Sequence, residues 1–328
     1  MFITIIDEDS NKRYTELIIE QRGIMFNNIG RLILIILVLV SFRTTFMQQI
    51  YEVKKLSDNL YQFYQKEFVN MFAFITEEGI VLIDIGFDDV AESVKIELSR
   101  ITDQKIKYII NTHSDYDHLA GNSKLRDGAV IINHEKCRDE MIMYGGPDIK
   151  IPFDKKHFHE GMPDITFSEG LTIHIADETV NLIPMYGGHS SSDIIVYLEN
   201  DNVLFVGDII TPNSFPVVKL YRNSTVERLK EIIIELLDKF DEDTEVFVGH
   251  GASTTIAELK PYLEMINETE SLILEKMKQE YRLEEIKEKN ILNKYSQWSG
   301  TVFEEVNCDM WIETMYNNYK SDKLIKTE

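Results

Sequence analysis

Short apolar segments with the alternating spacing of strands, "IYEVKKL", "LYQFYQ", "MFAFIT" and "IVLIDIG", follow one another between residues 50 and 86. That spacing predicts antiparallel strands and hairpins, with Glu77-Glu78-Gly79 as a turn. The spacing then changes. Val90, Val94, Leu98 and Ile101 recur at helical intervals, so residues 88–101 are expected to form a helix. "KYIINTH" (107–113) reads as a buried strand entering a loop, "GAVIINH" (128–134) as another strand, and 135–143 as a short helix. Residues 144–163 carry Gly145, Gly146, Pro147, Pro152 and Pro163 and read as a long loop, a kind of segment that often covers or binds.

Strand patterns resume with "LTIHIA", "VNLIPM", "DIIVYL" and "VLFVGD" between 171 and 208. A helix over 224–240 is predicted from one apolar face, Val226, Leu229, Ile233, Leu236 and Phe240, with Ser224 and Glu227 spaced as a capping box. "EVFVGHG" (245–251) is a last strand running into a loop, and the chain after Thr255 is mostly helical to about 293. The charge-rich stretch 273–290 reads as a helix with a solvated, ion-paired face. Strands and helices in this order predict an α/β (α+β) sandwich of sheets flanked by helices. The expected organisation is a tail over 1–47, a main domain over 48–265 and a helical C-terminal extension over 266–328.

Composition narrows the function. The net charge of −22 over 328 residues disfavours a nucleic-acid partner, because phosphate binding needs clustered Lys and Arg. Two cysteines, Cys137 and Cys308, are too few and too far apart for a thiolate metal site, so any metal must be held by His and carboxylate. Near the N-terminus, "RLILIILVLVSF" (31–42) contains the unbroken apolar run Leu32–Val40. It is short for a bilayer span and fits a signal-peptide core preceded by Arg31, with translation starting at Met25. The expectation is an exported protein, periplasmic or extracellular, with no stable membrane insertion of the mature chain; the alternative is anchoring by that same segment.

Chemistry-bearing residues fall at four strand ends. "NTHSDYDHLAGN" (111–122) supplies His113, Asp115, Asp117 and His118. "MYGGHSSSD" supplies His189, "LFVGDII" Asp208 and "VFVGHG" His250. Each piece alone is more often a loop or turn than a ligand; four in order at strand ends are not. The set resembles the metallo-β-lactamase-fold hydrolases, whose HxHxDH, Gly-His, Asp and Gly-His pattern is matched by "HSDYDH", "GGHS", "VGD" and "VGHG". Asp84 in "VLIDIG" matches a further motif near the start of that fold. The resemblance covers roughly residues 52–265.

The resemblance implies a four-layer αββα sandwich with a dinuclear metal site at its edge. His113, Asp115 and His189 would hold one divalent ion and Asp117, His118 and His250 the other, with Asp208 bridging. Zinc is the expected metal, with manganese and iron as alternatives. A metal-bound water, with Asp117 beside it, would attack a small ester, thioester, lactone or amide, including a β-lactam-like one. A glyoxalase-II-like thioesterase is one alternative, and a metal-binding non-enzymatic protein of the same fold is the other. One departure stands out: Asp115 replaces the second histidine of the pattern. Two divalent ions would then face three carboxylates and a hydroxide, leaving a neutral core where a histidine would leave it positive. On that count the first ion becomes a weaker acid, or a harder metal is preferred. Around the ligands, Tyr116, Tyr186, Lys219, Tyr221 and Arg222 are candidate substrate contacts. His157 and His159 are expected at a solvent-exposed lip, and His134 and His174 in structural roles.

Overall fold

The computed structural model describes residues 52–64, 69–144 and 159–325. The 1–47 tail, with its apolar run, lies outside the described residues, as do 145–158 of the long loop with His157. Among the described residues no helix is long and apolar enough to cross a membrane.

Two sheets form the centre. The first holds, in spatial order, β1 (Glu52–Lys55), β2 (Leu60–Tyr64), β3 (Asn70–Thr76), β4 (Gly79–Ile83), β5 (Ile106–Ile110), β6 (Val130–His134) and β7 (Ile165–Phe167). The second holds β8 (Leu171–Ile175), β9 (Glu178–Pro184), β10 (Ile194–Leu198), β11 (Val203–Phe205), β12 (Glu245–Phe247) and β13 (Thr254–Thr255), running from β13 to β8 across the sheet. β1 to β4 are antiparallel neighbours, whereas β4, β5, β6 and β7 are parallel.

Side-chain alternation explains the layers. In β4, Val81 and Ile83 enter the core between the sheets, while Ile80 and Leu82 enter the core under the helix α1 (Ala91–Ile101). Phe72 and Phe74 of β3 likewise face the inter-sheet core, with Met71 and Ala73 on the other side. In the second sheet Val203 and Phe205 face inward, and Leu204 and Val206 face the helical layer outside. A strand buried on both faces reads as a continuous apolar run, which is why β4 lacks the polar alternation of β2. The result is the αββα sandwich, with the two sheets packed through Phe72, Phe205 and Phe247.

α2 (Tyr116–Leu119) and α3 (Asn122–Leu125) are single turns after β5, and α4 (Glu135–Tyr144) follows β6. α5 (Val226–Lys239) buries Val226, Leu229, Ile232, Ile233 and Leu236 against the second sheet. Its cap differs from the capping box expected at Ser224. Thr225 is the N-cap and its side chain accepts from the Arg228 N–H, while the Ser224 hydroxyl is buried without a hydrogen-bond partner. Ser and Thr compete for one such position, and the extended backbone at Thr225 decides it.

The C-terminal segment comprises α6 (Leu259–Lys278), α7 (Leu283–Glu288), a 3-10 turn (Asn293–Trp298) and α8 (Cys308–Ile325). The expected single helix over 273–290 is broken at residues 279–282, where Glu280 takes φ 63°, and Arg282–Glu285 and Lys287–Glu284 pair at i,i+3 while Lys287 also reaches Glu313. Trp311 of α8 is fully buried, stacks on Phe215 and donates Nε1–H to Thr269 Oγ1 at 2.9 Å. Both cysteines are free.

Candidate metal centre

Strand direction brings the ligands to one edge. β9 and β11 are both antiparallel to β10, and β12 is parallel to β11, so β9, β11 and β12 end on the same side of the second sheet. β4 and β5 run parallel in the first sheet. Asp84 follows β4, the turn after β5 carries His113 and Asp115, and α2 carries Asp117 and His118. His189 lies beyond β9, Asp208 beyond β11 and His250 beyond β12. Backbone bonds stitch the two sheets together here: Ile194 N–H to Thr112 O at 2.9 Å and Asn70 N–H to Gly249 O at 2.7 Å. The Asn70 side-chain amide also donates to the carbonyls of Val248 and Gly251, both at 2.9 Å, and fixes the His250 turn.

The seven residues form two adjoining groups, His113, Asp115, His189 and Asp208 in one and Asp117, His118 and His250 in the other, with the ligand atoms of each group within 4.8 Å of one another. Asp208 touches both. Its Oδ2 lies 3.7 Å from the Nε2 atoms of His113 and His189 and 3.3 Å from that of His250, and its Oδ1 is 3.4 Å from His118 Nε2. His250 Nε2 is also 3.1 Å from Asp117 Oδ2. The outer ring nitrogens are occupied: His118 Nδ1 meets Asp84 Oδ2 at 2.9 Å, His189 Nδ1 meets Val217 O at 2.7 Å, and His113 Nδ1 meets Thr112 Oγ1 at 3.0 Å. An Nδ1–H donated outward leaves Nε2 as a lone-pair donor facing inward, the arrangement a metal requires.

The residues therefore fit a pair of divalent ions. His113 Nε2 and Asp208 Oδ1 are buried with no hydrogen-bond partner, their nearest opposite charges being those at 3.3 and 3.4 Å. Orphaned buried polar atoms in a native fold call for an explanation, and a bound cation would supply it. Space is equally constrained. A Cβ at position 249 would lie 2.1 Å from Asp208 Oδ1 and 2.6 Å from His118 Cε1, so only glycine allows this approach. Charge is concentrated here as well. Burial works to raise Asp117, but His118 and His250 outweigh it and bring the carboxyl down to about 2. Burial works to lower His250, but Asp208 and Asp117 outweigh it and lift the imidazole to about 10. Metal binding would displace those protons.

Asp115 has a setting the chain order did not disclose. Lys219 Nζ contacts its Oδ2, and Arg222 Nη1 lies 2.5 Å from its Oδ1. The three side chains are only 13–16% exposed. The charge count made from the sequence is corrected accordingly: the extra carboxylate comes with two cations, so it does not make the centre more negative. Lys219 is lowered to about 8 by burial. Arg222 also lies 4.0 Å from Glu140 Oε2, and Glu140 accepts hydrogen bonds from Ser114, Ser191 and Ser192.

Of the other candidate contacts, Tyr116 bonds Asp88 at 3.3 Å, and burial with that neighbour pushes its hydroxyl up to about 12. Tyr186 is 44% exposed beneath Lys136, and Tyr221 is 80% exposed. His159 is exposed; His134 ends β6, buried, and His174 sits within β8. Sequence reasoning passed over Asp193, whose carboxylate accepts from the His189 and Ser190 N–H groups at 2.8 Å and sets the His189 turn. Its place in "HSSSD", four residues after a histidine, was the available signal. It also passed over Glu140 and over Phe303, whose ring lies 4.7 Å from that of His250. Neither is marked by any local pattern.

Comparisons with known proteins agree with this fold. The family model described as the metallo-beta-lactamase superfamily matches residues 65–250. An uncharacterized protein of Aquifex aeolicus (strain VF5) is 26% identical over 197 residues, covering 56% of this chain and 83% of that protein. A hydroxyacylglutathione hydrolase of Prochlorococcus marinus (strain MIT 9301) is 23% identical over 283 residues, covering 81% of this chain and 98% of that protein. Among solved structures, a metallo-beta-lactamase from Pontibacter korlensis shares the fold with a TM-score of 0.55 and 21% identity, covering 66% of this chain and 99% of that one.

Proposed function

Since the chain belongs to the metallo-β-lactamase superfamily of metal-dependent hydrolases, we propose that it hydrolyses a small-molecule thioester or ester at the centre formed by His113, Asp115, Asp117, His118, His189, Asp208 and His250. The observation that carries this reading is the convergence of the two ligand groups on Asp208, with buried Nε2 and carboxylate atoms left unsatisfied by protein. Similarity to a protein named hydroxyacylglutathione hydrolase over 81% of the chain favours the thioester within the wider class of esters, lactones and amides.

Bound divalent metal would supply Lewis acidity and water activated near neutral pH. The protein supplies the rest. Asp84, Val217 and Thr112 fix the tautomer and orientation of His118, His189 and His113. Asp117, ionised, partly exposed and beside His250, is a hydrogen-bond acceptor that can orient a water molecule. Phe303 and the buried walls around His250 limit water at that side. Imidazole with carboxylate suits zinc, and manganese and iron are the other ions to load.

The test loads the purified protein with each of these metals and assays a panel of hydroxyacyl-glutathione thioesters, simple esters, lactones and β-lactams, with His118→Ala as control. Hydrolysis of one class, lost at least ~100-fold in the control, is the expected result. A metal-replete protein inert toward the whole panel would overturn the reading.

A further inference from the structure

The two halves of the centre meet different charges. Asp117 pairs only with His118 and His250 among the described residues, and Asp208 only with histidines. Asp115 pairs with Lys219 at one oxygen and Arg222 at the other, as well as with His113 and His189. The oxygen that Lys219 touches, Oδ2, is the one 3.3 Å from His113 Nε2 and 3.2 Å from His189 Nε2, and so the one aimed at a metal between them. Arg222 holds the other oxygen, so turning the carboxylate does not offer a free one.

We propose that Lys219 makes the centre asymmetric: the half formed by Asp117, His118 and His250 with Asp208 binds a divalent ion tightly, while the half at His113, Asp115 and His189 binds one weakly, because the Lys219 ammonium competes for Asp115 Oδ2. A dication seated on that oxygen would lie beside the Lys219 charge in a poorly hydrated setting, where repulsion is screened little. Lysine is a compact charge on a flexible stem and can withdraw. Arginine, bonded to Ser114 as well as to Asp115, stays. Among the described residues no Lys or Arg pairs with Asp117. The resting protein would therefore carry one metal per chain and fill the second half only at high metal concentration or when another anion draws Lys219 away.

This rests on the metallo-hydrolase reading above, and metal binding itself separates the two. Metal-free full-length protein is titrated with Zn2+ by calorimetry, and its retained metal is measured by elemental analysis after dialysis. The expected wild-type result is one tight equivalent and a second at least ~10-fold weaker; Lys219→Met should tighten the second by ~10-fold or more and leave the first unchanged. Asp117→Asn should instead weaken the tight equivalent. Two equally tight equivalents in the wild type, or an unchanged second equivalent in a folded Lys219→Met protein, would overturn the asymmetry and leave the metallo-hydrolase reading standing. Failure to bind any metal would overturn both.

Discussion

Asp84 sits at φ 52°, in the left-handed region, and accepts from Thr112 N–H and Oγ1–H, both at 2.8 Å, besides meeting His118 Nδ1. Asparagine tolerates that backbone conformation at least as well as aspartate, so Asp84→Asn removes the charge while keeping the turn. The imidazole of His118 would lose the carboxylate that fixes its tautomer. Metal affinity should fall ~10–100-fold with the melting temperature nearly unchanged, measured by chelator competition beside a thermal scan. Unchanged affinity would reduce Asp84 to a turn residue. The "VLIDIG" motif marked this position in the sequence; the contact to His118, 34 residues on, became visible only in the fold. Lys219 and Arg222 show the reverse. Their sequence position suggested substrate contacts, and only the fold shows that they converge on Asp115.

At the scale of elements, long periodic segments and short apolar runs such as β11 and β12 were legible, and short mixed or polar ones were not. α1, α5 and the apolar strands follow directly from spacing. β7, β13 and the single turns α2 and α3 have two to four residues, too few to show a period, and they exist because neighbouring strands or ligand turns hold them. The C-terminal helices share the core of the second sheet through Trp311, Ile312 and Met315, beside Phe215 and Ile266. Trp311→Ala should therefore lower the stability of the sandwich itself by ~3–5 kcal/mol, seen as one cooperative transition at lower temperature. A separate early transition with the main one unmoved would mean that the C-terminal helices are an appendage.

For the whole molecule, acid weakens the joint between α5 and α8. Burial works to raise Glu227, but hydrogen bonds from Asn318 and Tyr319 outweigh it and hold the carboxyl below its ordinary value; the Asn318 bond is 2.9 Å. A lowered folded value means that the stabilisation is complete above the unfolded pKa, about 4.3, and is lost as pH falls through the folded one. Chemical denaturation of wild type and Glu227→Gln should show the wild type more stable at pH 7, with the difference shrinking below about pH 4. A difference independent of pH would show that the charge on Glu227 contributes nothing to the docking. The net charge of −22 adds general self-repulsion at neutral pH, but Gln for Glu changes that little.

What the sequence determined by itself was local: hydrophobic period named the main strands and helices, and the spacing of His, Asp and Gly at strand ends named the seven candidate ligands that the fold brings into two adjoining groups. Those signals survive in one dimension because each arises within a few residues. The tertiary structure alone decided which charges face those ligands. Asp115 lies more than a hundred residues from Lys219 and Arg222, and Ser114 lies 26 residues from Glu140. Electrostatic effects depend on distance through space and on burial, and neither is a property of position along the chain.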